Sequence, residues 1–334
     1  MRHARIKTHE IAARTGLSPA TVSRAINHPE LVKKETQDAI LKVMEQMGYE
    51  VTVPQPTPAP HRILLVNCPK GFNPFYEEVI TGIMASAHSR NCHVVLSYDD
   101  LDAEGTGSFV GLIRQAGVSG VILMGQQSSD QLAQIEKLVP LVQCCEFNEE
   151  ASLPYVSIDD FAAARDAVRY LVSCGRRNIA FLNGPMRFKY ARERLKGVKQ
   201  AAVDLGLTLL PELMVNLPAV DYKMAYTVVN GFLSSRNRPD AVFCASDVFA
   251  AAAVNVSRAH QVAVPEELMV VGFDNIALCE VVRPAITSVN QPKQQLGFTA
   301  AEMLLERIED PKIPPRHMLL STELIIRASS LPGV

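Results

Sequence analysis

Ten residues at 18 to 27, S-P-A-T-V-S-R-A-I-N, gather hydroxyls, an amide and one guanidinium around two apolar positions, Val22 and Ile26. Four apart on a helix, Val22 and Ile26 share a face that must point at a core, which leaves Ala20, Thr21, Ser23, Arg24 and Asn27 on the outside and its flanks. That face suits the major groove of duplex DNA. Small side chains let the helix seat deeply, hydroxyls and amides reach phosphates, and a guanidinium forks onto guanine O6 and N7. A second set of polar and aromatic residues follows short apolar runs further on: N-P-F-Y at 73, M-G-Q-Q at 124, C-E-F-N at 145, N-G-P-M-R-F-K-Y at 183, Ser246-Asp247 and F-D-N at 273. Aromatic faces with a few carboxylates, amides and arginines supply stacking surfaces and hydrogen bonds for a polyol or sugar ring.

The elements that must hold the first set are local. One helix carries Ile11 and Ala12 inward, Gly16 frees the turn to take positive φ, and Ser18 caps a second helix with Pro19 at its first position. This is a helix-turn-helix. A third helix from Thr36 to Met47, with Ala39, Ile40, Val43, Met44 and Met47 as its apolar stripe and Gly48 as its stop, closes a head over 1–50. Residues 51–62 then carry proline at every second position from Pro54 to Pro60, which excludes a helix and predicts an extended spacer.

The second set needs a different frame. From 63 onward short runs such as I-L-L-V-N-C, G-V-I-L-M-G and A-V-F-C-A-S alternate with helical stretches such as 74–90 and 161–174. Continuous apolar strands between helices predict parallel sheets covered on both faces, and eight or more such runs favour two sheets over one. Ligands of open α/β sheets collect at the carboxyl ends of the strands, where the polar segments lie. Taken singly, Asp247 and Asp159 read as helix N-caps, Phe243 as core, Pro74 as a helix opener, and Arg187, Lys189 and Arg192 as a solvated loop, with an anionic effector as the other reading of those three cations.

Charge and composition bound the function. Residues 1–62 hold nine Lys/Arg against six Asp/Glu, leaving 24 against 29 for the rest, so a basic head precedes an acidic body. The seven cysteines lie mostly in apolar runs without C-x-x-C spacing and predict reduced core residues of a cytoplasmic protein. The first residues lack the apolar stretch of a signal peptide, and no later segment is long enough for a membrane span. No phosphate-binding G-x-x-x-x-G-K loop, G-x-S-x-G elbow or H-E-x-x-H helix is present, so the expectation is no enzyme, no cofactor and no metal. Gly105, Gly107 and Gly111 miss a dinucleotide fingerprint and predict a loop entering a helix.

The string at 18–27, with N-P-F-Y at 73, F-C-A-S-D at 243, G-F-D-N at 272 and E-L-I-I-R at 323, resembles the lactose/galactose repressor family, and its body strings lean toward the cytidine-repressor branch. The resemblance implies a small all-α helix-turn-helix head plus an α/β body like periplasmic sugar-binding proteins, made of two doubly wound parallel-sheet lobes. Lobe 1 is expected over 63–160 and 292–318, and lobe 2 over 161–291 and 319–334. It implies DNA contacts at Thr21, Ser23, Arg24 and Asn27, with Pro19 and Ala20 choosing the operator sequence, Ser18 capping, and Lys7 or Thr8 before the first helix. It implies effector contacts at Phe75, Met124, Glu146, Phe188, Tyr190, Arg194, Phe243, Ser246 and Asp274, with Arg194 and Asp274 gripping vicinal hydroxyls from two sides.

The expected partners are a near-palindromic operator, a second copy of the chain, and a sugar, sugar phosphate or nucleoside effector, with no membrane. No heptad tail follows E-L-I-I-R, so a tetramer built that way is not expected. The clearest departure from the family is the proline run, which stands where relatives have a hinge helix. It implies loosely tethered heads that tolerate varied half-site spacing. The alternatives are a sugar receptor, which would want a signal peptide and no helix-turn-helix, and a sugar-modifying enzyme, which would want a nucleophile or phosphate loop.

Overall fold

The computed structural model describes residues 8–27, 32–47, 62–70, 73–101 and 103–331, and these divide into a unit ending at His61 and another from Arg62. Lys7, Gly48 and the proline run at 51–61 lie outside the described residues, so the expectations placed on them are not addressed by the fold.

In the first unit, helices α1 (Thr8–Thr15), α2 (Pro19–Asn27) and α3 (Lys34–Gln46) enclose Ile11, Ala12, Val22, Ile40 and Met44, with Ile26, Val43 and Met47 packed at the rim. Gly16 takes φ +70° in open space, where a β-carbon would cost conformational energy rather than a clash. Ser18 Oγ accepts the Thr21 N–H at 3.1 Å, which satisfies one of the donors the α2 terminus would otherwise leave open. The third helix begins two residues before the expected Thr36, and Ala39 faces solvent rather than the core. Ile40 and Met44 carry the stripe without it.

From Arg62 the chain runs β1 (Arg62–Asn67), α4 (Phe75–Ser89), β2 (Cys92–Ser97), α5 (Ala103–Gln115), β3 (Gly120–Leu123), α6 (Ser129–Glu136), β4 (Leu141–Cys144) and β5 (Tyr155–Ile158). Then follow α7 (Asp160–Ser173), β6 (Ile179–Asn183), α8 (Lys189–Leu205), β7 (Met214–Asn216), α9 (Tyr222–Ser234), β8 (Ala241–Cys244), α10 (Asp247–Ala259) and β9 (Met269–Asp274). The short α11 (Leu278–Val281), β10 (Thr287–Asn290), α12 (Lys293–Glu309), β11 (His317–Leu320) and β12 (Glu323–Ile325) complete it. Gly105, Gly107 and Gly111 lie inside α5 and not in a loop before it.

Among the described residues the strands form two six-stranded sheets, ordered β11-β5-β4-β3-β1-β2 and β12-β10-β9-β8-β6-β7. All neighbours are parallel except β12, which runs antiparallel to β10. The chain therefore crosses between the two lobes after β5, after β10 and between β11 and β12. The central strands are apolar without a break and buried on both sides, as β3 and β8 illustrate, because helices cover each face. Helix α12 returns to pack on α4, β3, β4 and β5. The two helices approach so closely that a β-carbon on Gly82 would lie 2.0 Å from the Gln294 carbonyl oxygen, and one on Gly297 1.9 Å from that of Val79.

Candidate functional site

In the head, Ser18, Pro19, Ala20 and Arg24 are exposed along one side of α2, and Thr8, Thr21 and Ser23 are half-buried. Small, polar and tipped with arginine, this surface keeps the chemistry expected of a groove-reading helix. The Asn27 side chain lies outside the described residues, like Lys7.

In the body, the carboxyl ends of β1, β4, β5, β6, β8, β9 and β10 deliver residues to one cavity between the lobes. Lobe 1 contributes Asn73, Phe75, Tyr76, Cys145, Glu146 and Ile158, and lobe 2 Tyr190, Arg194, Val220, Ala245, Ser246 and Asp274. Asp160 and Gln291 line it from the crossovers. Pro74 precedes the helix that presents Phe75, as its ring geometry favours, and Ser246 caps α10 by accepting the Val248 N–H.

Arg194 is the centre of the polar wall. Its Nε donates to Asp160 Oδ1 at 2.8 Å, its Nη1 to the Ala245 carbonyl at 2.8 Å, and its guanidinium lies 3.3 Å from the Phe273 ring centroid and 4.8 Å from that of Tyr190. Asp274 sits 4.0 Å away and accepts from Gln291 Nε2 at 2.7 Å. Burial pushes Asp274 up to about 7, with Arg194 pulling it down and Asp247 adding to the rise. Burial raises Asp160 too, but Lys189 and Arg194 outweigh it and hold that carboxyl below the usual range. Glu146 is pushed up to about 7, first by burial, against the pull of Lys189. The wall thus holds a mixed set of charges on buried side chains.

Six of the expected contacts meet in this cavity: Phe75, Glu146, Tyr190, Arg194, Ser246 and Asp274. Phe188 borders an adjoining recess, stacked on Tyr190 at 5.7 Å and covered by Arg187. Met124 and Phe243 are not part of the lining. Met124 is fully buried against Cys68, and Phe243 lies in the core between Phe181 and Phe273, because apolar side chains at strand ends gain more from the sheet–helix interior than from a polar wall.

Three local readings also change. Lys189 is not solvated but 4% exposed, with Nζ on Asp160 Oδ2 at 2.7 Å, while Arg187 is exposed and Arg192 half-buried. Asp247 is not the N-cap of α10. It is buried one residue later, accepting from Ser288 Oγ at 2.6 Å and the Ile276 N–H at 2.9 Å. The nearest carboxylate to Arg194 is Asp160 rather than Asp274. Asp159 does cap α7, accepting from the Ala162 N–H. Sequence reasoning reached Tyr76 only as part of the N-P-F-Y segment and missed Asp160 and Gln291 as lining residues; the doubled aspartate after the Y-V-S-I run was the signal available for Asp160. All seven cysteines are free thiols, and five of them are buried.

A helix-turn-helix followed by a two-lobed α/β body with a polar cavity at its strand ends defines an effector-responsive DNA-binding regulator. Residues 7–51 match the family model for bacterial regulatory proteins of the lacI family, and residues 168–330 that for a periplasmic binding protein-like domain. The HTH-type transcriptional repressor CytR of Escherichia coli K12 is 30% identical over 328 residues, spanning 96% of this chain and 95% of the relative. The HTH-type transcriptional regulator CelR of Thermobifida fusca is 31% identical over 332 residues, 96% of each. A solved CelR–cellobiose complex superposes with a TM-score of 0.74 at 28% identity, covering 98% of this chain and all of that one. The chain belongs to the lacI family of bacterial regulatory proteins, and it is a DNA-binding transcription regulator. Among the described residues no helix is long and apolar enough to cross a membrane.

Proposed function

We propose that the chain is a cytoplasmic, homodimeric repressor with no catalytic step of its own, whose hold on a near-palindromic operator is set by a small neutral polyhydroxylated effector, a sugar or nucleoside. The head over 1–50 reads DNA through Thr21, Ser23, Arg24 and Asn27, with Pro19 and Ala20 selecting bases by apolar contact. The body binds the effector through Phe75, Tyr190, Arg194, Ser246 and Asp274. Occupancy alters the population of lobe arrangements, and with it the geometry offered to the two heads.

One observation carries the choice of a neutral effector: among the described residues, each cation at the cavity is already engaged by protein acceptors. Arg194 is on Asp160 and Ala245, Lys189 on Asp160 and Ser157, and Lys293 on the carbonyls of Asp274 and Asn275. Asp160, Asp274 and Glu146 line the same cavity, so a phosphate would have to compete with protein acceptors for each of these cations. In the adjoining recess Lys70 is paired with Asp100 and Arg187 covers Phe188. The CelR complex holds cellobiose, itself uncharged. The test is a thermal-shift screen of neutral sugars and nucleosides beside their phosphates. A shift from a neutral compound that its phosphate fails to reproduce is expected, and the reverse ranking would overturn the assignment.

A further inference from the structure

Helix α8 starts without a cap of its own: Phe188 stands at its N-cap position and offers no side-chain acceptor. Two of the N–H donors that a helix terminus leaves open are taken instead by Glu146, a residue of the opposite lobe. Its Oε2 accepts the Lys189 N–H at 2.5 Å and its Oε1 the Tyr190 N–H at 3.2 Å. Both oxygens of this buried carboxylate are thus spent on backbone. The turn that aims Glu146 is unusual in its own right. Cys145 has φ +70° and the Glu146 N–H bonds the Cys144 carbonyl two residues back, a γ-turn of the rare, strained hand.

The same turn is tied a second time to α8. Lys189 Nζ donates to Ser157 Oγ at 3.0 Å, and Ser157 Oγ donates to the Cys145 carbonyl at 2.6 Å. A closed circuit therefore joins the lobes at the first turn of α8, the helix that carries Tyr190 and Arg194 into the cavity. Opening the lobes there would strip the helix of its cap and leave a buried carboxylate without donors.

Resting on the reading of the cavity as the effector site, we infer that Glu146 is a positioning residue, not an effector ligand: it couples occupancy to lobe closure by capping α8 across the cleft. The test is hydrogen exchange on the full chain without added compound, comparing Glu146→Ala and the isosteric Glu146→Gln with the parent, alongside small-angle scattering. The Lys189 and Tyr190 amides should exchange faster in Glu146→Ala by on the order of 10-fold, as for the loss of a helix cap. Glu146→Gln, which keeps one carbonyl acceptor, should fall between, and the radius of gyration should rise in Glu146→Ala. Unchanged exchange at those amides would overturn the inference, as would equal deprotection of all lobe 2 helices in both variants, since that marks a merely structural residue. Cellobiose and cytidine form a separate arm. If neither they nor other neutral sugars and nucleosides bind the parent, the effector reading fails while the exchange result stands or falls by itself.

Discussion

Replacing Arg194 by alanine separates the roles of the two units. The substitution removes the 2.8 Å bond to Asp160, the 2.8 Å bond to the Ala245 carbonyl and the cation lying on the Phe273 ring. Removing one partner of a buried ion pair costs about 3–5 kcal/mol, and the lower end applies here because Lys189 still neutralises Asp160 at 2.7 Å. At roughly 2–4 °C per kcal/mol for a body of this size, its melting temperature should fall by about 10 °C. In the parent, an effector at 100 times its dissociation constant adds about 2.7 kcal/mol, which is a shift of several degrees. In Arg194→Ala that shift should vanish, because Tyr190 and Asp274 lose the group that orients them. Calorimetry with and without effector measures both quantities, and fluorescence anisotropy on a labelled operator should find affinity kept but no longer responsive to effector. Arg194→Met, which retains apolar contact with the rings, isolates packing from charge. A variant that melts with the parent, or keeps its effector shift, would refute the account of the polar wall.

Arg24→Ala should weaken specific operator binding by about 1–3 kcal/mol in titrations at fixed salt, with the effector-induced melting shift of the body intact. Stability of the effector-free body should rise as pH is lowered from about 8 to about 5.5, read by scanning calorimetry. The sign follows from Glu146, Asp274 and Asp247, whose carboxyls are raised to about 7, about 7 and about 6. Their contribution is fully present below the unfolded values near pH 4 and is lost as pH rises through the folded ones. For Glu146, moving from 4.5 to about 7, it is about 3 kcal/mol. Asp160, whose carboxyl is lowered, acts only near or below its ordinary 3.8 and does not oppose this trend. Gly297→Ala should cost more than about 2 kcal/mol in denaturant unfolding, since its β-carbon meets the Val79 carbonyl and not a flexible side chain. Operators with shifted half-sites should be bound about equally well if the proline run at 51–61 tethers the heads loosely, and one sharply preferred spacing would count against it.

Much of the molecule is legible from sequence where the determinants are local. Gly16, the S-P pair at 18 and the four-residue step from Val22 to Ile26 specify turn, cap and core face within one short segment. The central strands announce themselves as unbroken apolar runs. Strand β10 does not, because Thr287 and Ser288 are fully buried yet polar, satisfied by Ser329, Arg327 and Asp247 from distant segments. Strands β7 and β11 lie at sheet edges, and β7, M-V-N, is too short to carry an apolar signal. The site divides in the same way. Loops following strands were identifiable, so Tyr190, Ser246 and Asp274 fell into place. The burial of Lys189 was not, since its partner Asp160 is 29 residues away and joins it only when β5 and α8 meet.

The Lys189–Asp160–Arg194 triad bears on why the body is built with charges at all. A desolvated ion network of this kind is commonly neutral or unfavourable for stability relative to well-packed apolar residues of similar volume. Its location supplies the reason for keeping it. Asp160 stands where the chain leaves lobe 1 for lobe 2, and both of its partners come from the first two turns of α8. The crossover is thereby fixed to the helix that lines the cavity, while the bonds to Ser157 and Glu146 reach back into lobe 1. An apolar triad would hold the lobes together without specifying their relative setting, because dispersion contacts tolerate sliding that short charged hydrogen bonds do not. Asp160→Asn, which leaves Arg194 in the cavity wall, should therefore blunt the response of operator binding to effector in fluorescence anisotropy, and an unaltered response would count against this reason.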